Sequence, residues 1–205
     1  EAIAYVSQQQ TTADRTERER YLNNIDGLLF GPNPEDGVIK GKQFLHPGLN
    51  FAVSFPANWQ IQNLPDRVVA LSNDKAAQLQ MTLAQGTANA TPQEILQKLG
   101  IKHLSNAQKI GQAGFSGITG ITKVNTNAGQ KAARVSVIKD GQNAFVFTGL
   151  GKDNNALATH DRSIVAAANS FRRLSSREKA GIKPQRIRTV RLQGNVSWPS
   201  LARVS

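Results

Sequence analysis

Three strand-like segments joined by two short turns constrain the fold of this 205-residue chain more than any other feature. The segments span residues 115–126, 131–140 and 143–150. The turns between them, Asn127-Ala-Gly129 and Asp140-Gly141, have the composition of β-hairpin connections. Because successive hairpins place each strand beside the previous one, the sequence predicts an antiparallel meander.

Alternating apolar residues upstream of the meander predict more strands. Residues 51–55 and 59–62 alternate large apolar side chains with small or polar ones around a turn at Pro56, which predicts a hairpin. Two further strands are predicted at residues 67–72 and 78–83. The expected buried face of the second comprises Leu79, Met81 and Leu83.

Two helices are predicted within this block of strands. Thr91-Pro-Gln-Glu94 is a capping box with proline at the first helical position, and Gly100 ends the helix that it begins. Thr159 is expected to cap a closing helix that ends the block at Leu174. Its apolar stripe comprises Ile164, Val165, Ala168 and Phe171.

The first 26 residues contain neither glycine nor proline and predict another helix. Its apolar stripe has helical spacing and comprises Tyr21, Leu22, Ile25, Leu28 and Leu29. We expect this helix to end near Gly27 or Gly31. The dense turn cluster at residues 31–37 then marks a domain boundary.

The order of these elements predicts an α+β fold in which an antiparallel sheet is packed between helices, rather than a doubly wound parallel sheet. We expect an N-terminal helical linker segment at residues 1–36 and the α+β domain at residues 37–174. Residues 175–205 are expected to form a short basic C-terminal extension, in which Ser175 to Glu178 has the pattern of a helix cap.

The net charge of +11 is unevenly distributed along the chain. Residues 172–205 carry nine Lys and Arg against one acidic residue, a net +8, whereas residues 1–171 carry only +3. We therefore assign the basic character to the extension. Arg186, Arg188 and Arg191 alternate with apolar residues there and are the candidate binding surface.

The arginine face has two interpretations. It could bind phosphates or an anionic polymer, or it could be a solvated face or a surface that docks on an acidic part of a larger protein. Nucleic acid is not an expected partner, because Trp198 is nearly alone as an aromatic residue in the extension and bases lack a stacking platform.

The sequence nominates no reactive centre. Cysteine is absent, which excludes thiolate catalysis and disulfides. His46, His103 and His160 lie 57 residues apart without an HExxH pattern, so we predict no metal site, no catalytic residue and no cofactor in this chain. Gly117-Ile-Thr-Gly120 lacks the lysine of a phosphate loop, and its glycines are expected to allow close backbone packing or a bulge. No apolar run approaches the ~20 residues of a membrane span.

Five stretches resemble known proteins. Residues 51–60 (FAVSFPANWQ) and 166–174 (AAANSFRRL) resemble the PsbP-like fold, an antiparallel sheet between helices. Residues 21–31 (YLNNIDGLLFG), 37–47 (GVIKGKQFLHP) and 187–191 (IRTVR) resemble the C-terminal region of bacterial Zn-dependent proteases, the HtpX-like metallopeptidases of the cell envelope.

The second resemblance implies a non-catalytic accessory, regulatory or targeting part of a periplasmic zinc metalloprotease. Its partner is then the protease domain of the same protein, which is also where zinc is expected. Thr189-Val-Arg191 and the turn at residues 194–202 resemble the start of a LysM unit. This resemblance implies an alternative, an envelope binding module whose basic tail contacts peptidoglycan or another anionic polymer. Because the chain opens at Glu1 without methionine, we expect a fragment or a processed product.

Overall fold

The structure is a computed structural model and describes residues 12–112, 114–127 and 129–190. It divides into two compact units. The larger unit is Pro34–Ile182, and the described part of the smaller unit is residues 12–33 and 183–190. The described helices are α1 (Thr12–Ile25), α2 (Pro92–Lys98), α3 (Asn154–Asn169) and α4 (Ser176–Ala180), with a 3₁₀ turn at Pro34–Asp36.

The strands form two antiparallel sheets in the larger unit. In chain order they are β1 (Val38–Lys40), β2 (Gln43–His46), β3 (Phe51–Ser54), β4 (Gln60–Asn63), β5 (Arg67–Leu71), β6 (Ala77–Ala84), β7 (Ser105–Ile110), β8 (Ser116–Thr126), β9 (Gly129–Asp140), β10 (Asn143–Gly151) and β11 (Arg172–Arg173). The large sheet has the order β4-β5-β6-β10-β9-β8-β7, and the small sheet has the order β1-β2-β3-β11.

The predicted meander is confirmed as β8, β9 and β10. Ile118 lies opposite Val137, and Phe145 lies opposite Ile138, in continuous antiparallel register. Gly117 permits close packing as expected, because a Cβ there would lie 2.6 Å from the carbonyl oxygen of Val137. Antiparallel sheets flanked by helices confirm the predicted α+β class.

The predicted hairpin of residues 51–62 is wrong. β3 pairs with β2 and β11, whereas β4 pairs with β5 in the other sheet. The alternation of apolar residues on each strand is real, but it does not specify the pairing partner. β3 is buried on both faces, since Ala52 packs with Leu45 and Leu174 while Phe51 enters the main core.

An aromatic cluster forms the centre of the main core between the two sheets and α3. Phe51, Phe145 and Phe171 have ring centroids 4.6 to 5.0 Å apart and are each almost fully buried. Aromatic pairs at such distances add to the stabilisation from burial alone. Ile164 brings α3 onto the same cluster.

The opposite face of the large sheet is covered by α2. Ile95 and Leu96 are buried against apolar residues of β9 and β10. The capping box that predicted this helix is confirmed, because the Thr91 hydroxyl accepts from the Glu94 amide and the Glu94 carboxylate accepts from the Thr91 amide. Leu99, which its helical spacing from Ile95 and Leu96 predicts to face inward, is half exposed at the helix end.

Other helix boundaries differ from the sequence predictions. α3 begins nearly two turns before the start that the sequence predicted, because its cap is Asp153 rather than Thr159. The Asp153 carboxylate accepts a hydrogen bond from the Ala156 amide. α1 ends at Ile25, and Gly27 adopts a left-handed φ of 79°, so the last two members of the apolar stripe are not helical. Strand β7, at the edge of the large sheet, was not predicted because its residues are almost all polar and exposed.

The residues after Phe171 continue the larger unit beyond the expected boundary at Leu174. Arg172 binds the Glu178 carboxylate on α4 through two nitrogens, and Ile182 packs near Leu174. The Ser175 cap of α4 is present as predicted. No helix in the described part of the chain is long and apolar enough to cross a bilayer.

Candidate functional site

The three histidines lie in separate environments. His46 stacks on Phe51, with ring centroids 5.2 Å apart, and its Nδ1 accepts a hydrogen bond from the Leu49 amide at 3.1 Å. Burial lowers the pKa of His46, against the opposing effect of Asp36. This histidine is a packing residue at the end of β2, as the sequence indicates.

His160 lies in the second turn of α3. Its Nε2 is 3.4 Å from an Asp74 carboxylate oxygen, and its ring packs edge-on against Trp59 at 5.5 Å. A hydrogen bond from the Ser72 hydroxyl, assisted by the Ala76 amide and His160, lowers the pKa of Asp74 to about 2. Asp74 thereby holds the β5–β6 turn beside the helix.

These arrangements do not fit a zinc ion. Within residues 12–112, 114–127 and 129–190, no three histidine, aspartate or glutamate side chains are grouped as metal ligands. A zinc site needs three or four such donors at about 2 Å from one point. The zinc that the resemblance implies is therefore not assigned to any described residue of this chain.

In the smaller unit, the segment that follows α1 pairs with a segment from the C-terminal part of the described chain. The Gly27 amide donates to the Ile187 carbonyl at 2.8 Å, and the Ile187 amide donates to the Leu28 carbonyl at 2.9 Å. The Phe30 amide donates to the Gln185 carbonyl at 2.8 Å. We call residues 26–30 and 185–189 the paired segments.

Side chains reinforce the pairing. The Asp26 carboxylate accepts from the Thr189 amide at 2.7 Å and from its hydroxyl at 3.0 Å. These two hydrogen bonds, together with the positive charge of Arg188, lower the pKa of Asp26. The Arg186 guanidinium donates to the Gly27 carbonyl at 2.6 Å.

The candidate arginine face is thus only partly available. Arg186 and Arg188 are both exposed, but Arg186 is engaged with the backbone of Gly27. Arg191 lies outside the described residues, as do the LysM-like turn and Trp198. Val190, one of the apolar residues that alternate with the arginines in the sequence, is 60% exposed.

Exposed apolar side chains are concentrated in the smaller unit. Its described residues number 30, yet they include more than half of the large apolar residues that are exposed in the described chain. These are Tyr21, Leu28, Leu29, Phe30 and Val190. Tyr21 and Phe30 are each 63% exposed.

Sequence reasoning missed the partnership of the paired segments. The sequence offered two signals here: Gly27, which follows a predicted helix, and the apolar run from Leu28 to Phe30. Neither feature indicates a partner that lies 159 to 163 residues further along the chain.

The structure also corrects the assignment of charge. The larger unit carries 17 Lys and Arg against nine Asp and Glu, a net +8, while the remainder of the chain carries +3. The earlier count began the basic extension at residue 172 and so included β11 and α4, although both elements belong to the larger unit. Part of the charge counted in the extension therefore belongs to the larger unit, while residues 183–205 keep five Lys and Arg and no acidic residue.

Comparisons with known proteins show similarity at the level of fold. No family model matches the sequence, and no curated protein matches it. A solved structure from Bacteroides thetaiotaomicron VPI-5482 has a TM-score of 0.48 and 14% identity, over 68% of this chain and 51% of that one. The chain thus spans about half the length of that protein.

Cyanobacterial PsbP (CyanoP) from Synechocystis sp. PCC 6803 has a TM-score of 0.46 and 14% identity, over 71% of this chain and 99% of that one. The Saccharomyces cerevisiae Ran-binding protein Mog1p has a TM-score of 0.40 and 8% identity, over 69% and 99%. The fold is α+β, with antiparallel sheets flanked by helices. This architecture is consistent with a PsbP-like fold, and at these scores the similarities carry nothing about function.

Proposed function

We propose that this chain is a non-catalytic accessory module of a cell-envelope zinc metalloprotease and that it binds the protease domain of the same protein. The supporting observation is the smaller unit, in which segments far apart in sequence pair and leave their apolar side chains exposed. The proposal takes its choice of partner from the sequence resemblance of residues 21–31 and 187–191.

The energetic reason for docking lies in the exposed side chains. Fully burying a large apolar side chain contributes about 1.5 to 3 kcal/mol. Tyr21, Leu28 and Phe30 are each more than half exposed, so covering them with a partner surface has a substantial driving force. The larger unit, Pro34–Ile182, lies between the two paired segments in the sequence and takes no part in the proposed contact.

The proposal assigns zinc and peptide hydrolysis to the protease domain alone. This chain then positions, restrains or targets that domain in the periplasm.

Co-purification of this chain with the separately expressed protease domain tests the proposal. In the double variant Leu28→Ser/Phe30→Ser, we expect the Kd for the protease domain to rise at least tenfold. The matched control is Leu64→Ser/Leu99→Ser, which removes two comparably exposed leucines from the larger unit and leaves the Kd unchanged. Equal binding by the two variants, or a full-length coding sequence without an HExxH helix, contradicts the proposal.

The alternative function is an envelope binding module whose basic tail contacts peptidoglycan or another anionic polymer. The exposed guanidinium of Arg188 favours it. A pull-down on purified peptidoglycan compares Arg186→Ala/Arg188→Ala/Arg191→Ala with a control that removes three charges elsewhere, Lys42→Ala/Lys102→Ala/Arg162→Ala. Selective loss of retention in the first variant supports this function, and equal retention rules out the arginine face.

A further inference from the structure

A groove of about 600 Å³ on the larger unit is lined by cations and amides. Lys75, Lys131 and Lys152 line it together with Arg67, and Gln78 and Gln80 form part of its floor. We call this site the lysine groove. Its volume lies within the range of small-molecule binding sites rather than that of a site for a single ion.

The floor of the groove is the uncovered half of the large sheet. α2 packs over β8, β9 and β10, whereas the same face of β5 and β6 carries no helix. On β6, Gln78 and Gln80 alternate with the buried Ala77 and Leu79, so their amides face the groove and are half-buried.

Three separate elements bring the lysines together. Lys75 lies in the β5–β6 turn with a left-handed φ of 54°, and its amide donates to the Ser72 carbonyl at 2.9 Å. Lys152 follows β10, and its amide donates to the Ala76 carbonyl at 2.7 Å. Lys131, on β9, donates from Nζ to the Lys152 carbonyl at 3.2 Å.

The lysines of the groove carry uncompensated charge. Within the described residues, none of the three forms an ion pair, and no aspartate or glutamate lines the groove. Arg67 differs, because it is bound by the neighbouring Asp66 carboxylate at 2.5 Å. A concave site lined by one sign of charge concentrates the electrostatic potential and attracts counter-ions.

A second cavity extends the cationic surface. It has a volume of about 240 Å³, shares Lys131 and Lys152 with the groove and adds Lys123. Its one carboxylate, Asp153, is engaged as the cap of α3. Four lysines therefore line two adjoining cavities.

We propose that the lysine groove binds phosphate-bearing anions, with several phosphate groups engaged at once. Lysine ammonium groups bind phosphate as point charges, without the planar geometry that arginine offers to carboxylates. The glutamine amides of the floor can donate further hydrogen bonds to phosphate oxygens. No aromatic side chain lines the described groove, so stacked bases or sugar rings have no platform there.

This site is separate from the surface of the proposed function. The lysine groove belongs wholly to Pro34–Ile182, and the apolar side chains proposed to contact the protease domain belong to the other unit. Loss of either binding activity is therefore measurable without loss of the other.

Titration of this chain with inorganic polyphosphate at several salt concentrations tests the groove. The variant is Lys75→Gln/Lys131→Gln/Lys152→Gln, and the matched control, Lys42→Gln/Lys102→Gln/Lys109→Gln, removes the same charge from exposed lysines elsewhere on the unit. We expect the groove variant to lose at least tenfold in affinity and the control less than threefold. Counterion release predicts that the slope of log K against log salt falls by about 0.7 to 0.9 for each phosphate group that the variant no longer neutralises.

Two further arms identify the source of the phosphate. Orthophosphate tests a single free ion, and vesicles of phosphatidylglycerol test a lipid headgroup. Selective loss of polyphosphate or vesicle binding in the groove variant supports the proposal and names the source. Orthophosphate binding as tight as that of polyphosphate contradicts the engagement of several phosphate groups. Equal weakening in both variants, or no binding of any probe at low salt, overturns it.

If the groove variant does not fold, NMR mapping of polyphosphate binding to the unaltered chain still tests the proposal. Polyphosphate added to the unaltered chain should shift the amide signals of Gln78, Lys131 and Gly151 more than those of Lys42 and Lys102. Shifts spread evenly over the larger unit indicate nonspecific attraction and contradict the groove.

Discussion

Arg134 on β9 and Asp161 on α3 form a bidentate ion pair, with Nε–Oδ1 and Nη2–Oδ2 distances of 2.7 and 2.6 Å. The Arg134 side chain is only 7% exposed. The pair fixes the closing helix against the sheet by two parallel hydrogen bonds, the geometry in which arginine binds a carboxylate most strongly.

Asp161→Asn should destabilise the larger unit by roughly 3 kcal/mol, because it leaves a buried guanidinium without its counter-charge. Urea unfolding followed by circular dichroism measures the change. Asp66→Asn is the matched control, since it breaks the exposed pair with Arg67 and should cost less than about 1 kcal/mol. If the two changes lower the free energy of unfolding equally, the Arg134–Asp161 pair contributes no more than an exposed pair, which contradicts the prediction.

Gly151→Ala should also destabilise the fold, by about 1 to 3 kcal/mol. A Cβ at this position would lie 2.3 Å from the backbone nitrogen of Leu157, and backbone at the start of α3 cannot move away cheaply. Gly181→Ala is the control, because its Cβ would make only ordinary contacts of 3.4 Å or more. Thermal unfolding of both variants checks the difference, and an unchanged Tm for Gly151→Ala refutes it.

The stability of the larger unit should fall in acid partly through Glu178. Hydrogen bonds from the Arg172 guanidinium and the Ser175 amide lower the pKa of Glu178 to about 2, from an ordinary 4.5. A carboxylate with a lowered folded-state pKa contributes its full stabilisation above the unfolded pKa and loses it as pH falls through the folded value. The loss should therefore occur between pH 4.5 and 2.

Urea unfolding of Glu178→Gln across that interval measures the contribution. The difference in unfolding free energy between parent and variant should shrink steadily as the pH falls through it. Glu17→Gln, which removes one exposed carboxylate from α1, controls for the change in total charge. If the difference in unfolding free energy between the parent and Glu178→Gln stays constant with pH, the predicted dependence of stability on the protonation of Glu178 is wrong.

Asp26→Ala should separate the paired segments of the smaller unit. The change removes both hydrogen bonds that the carboxylate accepts from Thr189. We expect amide hydrogen exchange at Gly27 and Ile187 to accelerate at least tenfold, because these amides are the donors of the pairing. Asn24→Ala, at an exposed position on α1, should leave both rates unchanged.

Local sequence patterns determined the elements whose stabilising contacts lie within a few residues. The capping box of Thr91 and Glu94 closes on itself, and the Asp140-Gly141 turn joins strands that are neighbours in sequence. The meander, α2 and the α+β class followed from such signals. They were predictable because the hydrogen bonds and turns that form them involve residues close together in the sequence.

Tertiary structure alone decided which strands share a sheet and which side chains share a site. Phe51 and Ile61 carry similar alternating patterns, yet β3 joined the small sheet because both of its faces are buried there. Gly27 pairs with Ile187, and Lys75, Lys131 and Lys152 line one groove, although the residues of each set are far apart in the sequence. Periodicity sets which face of a strand is apolar, whereas long-range packing selects the partner, and both candidate surfaces of this protein depend on that selection.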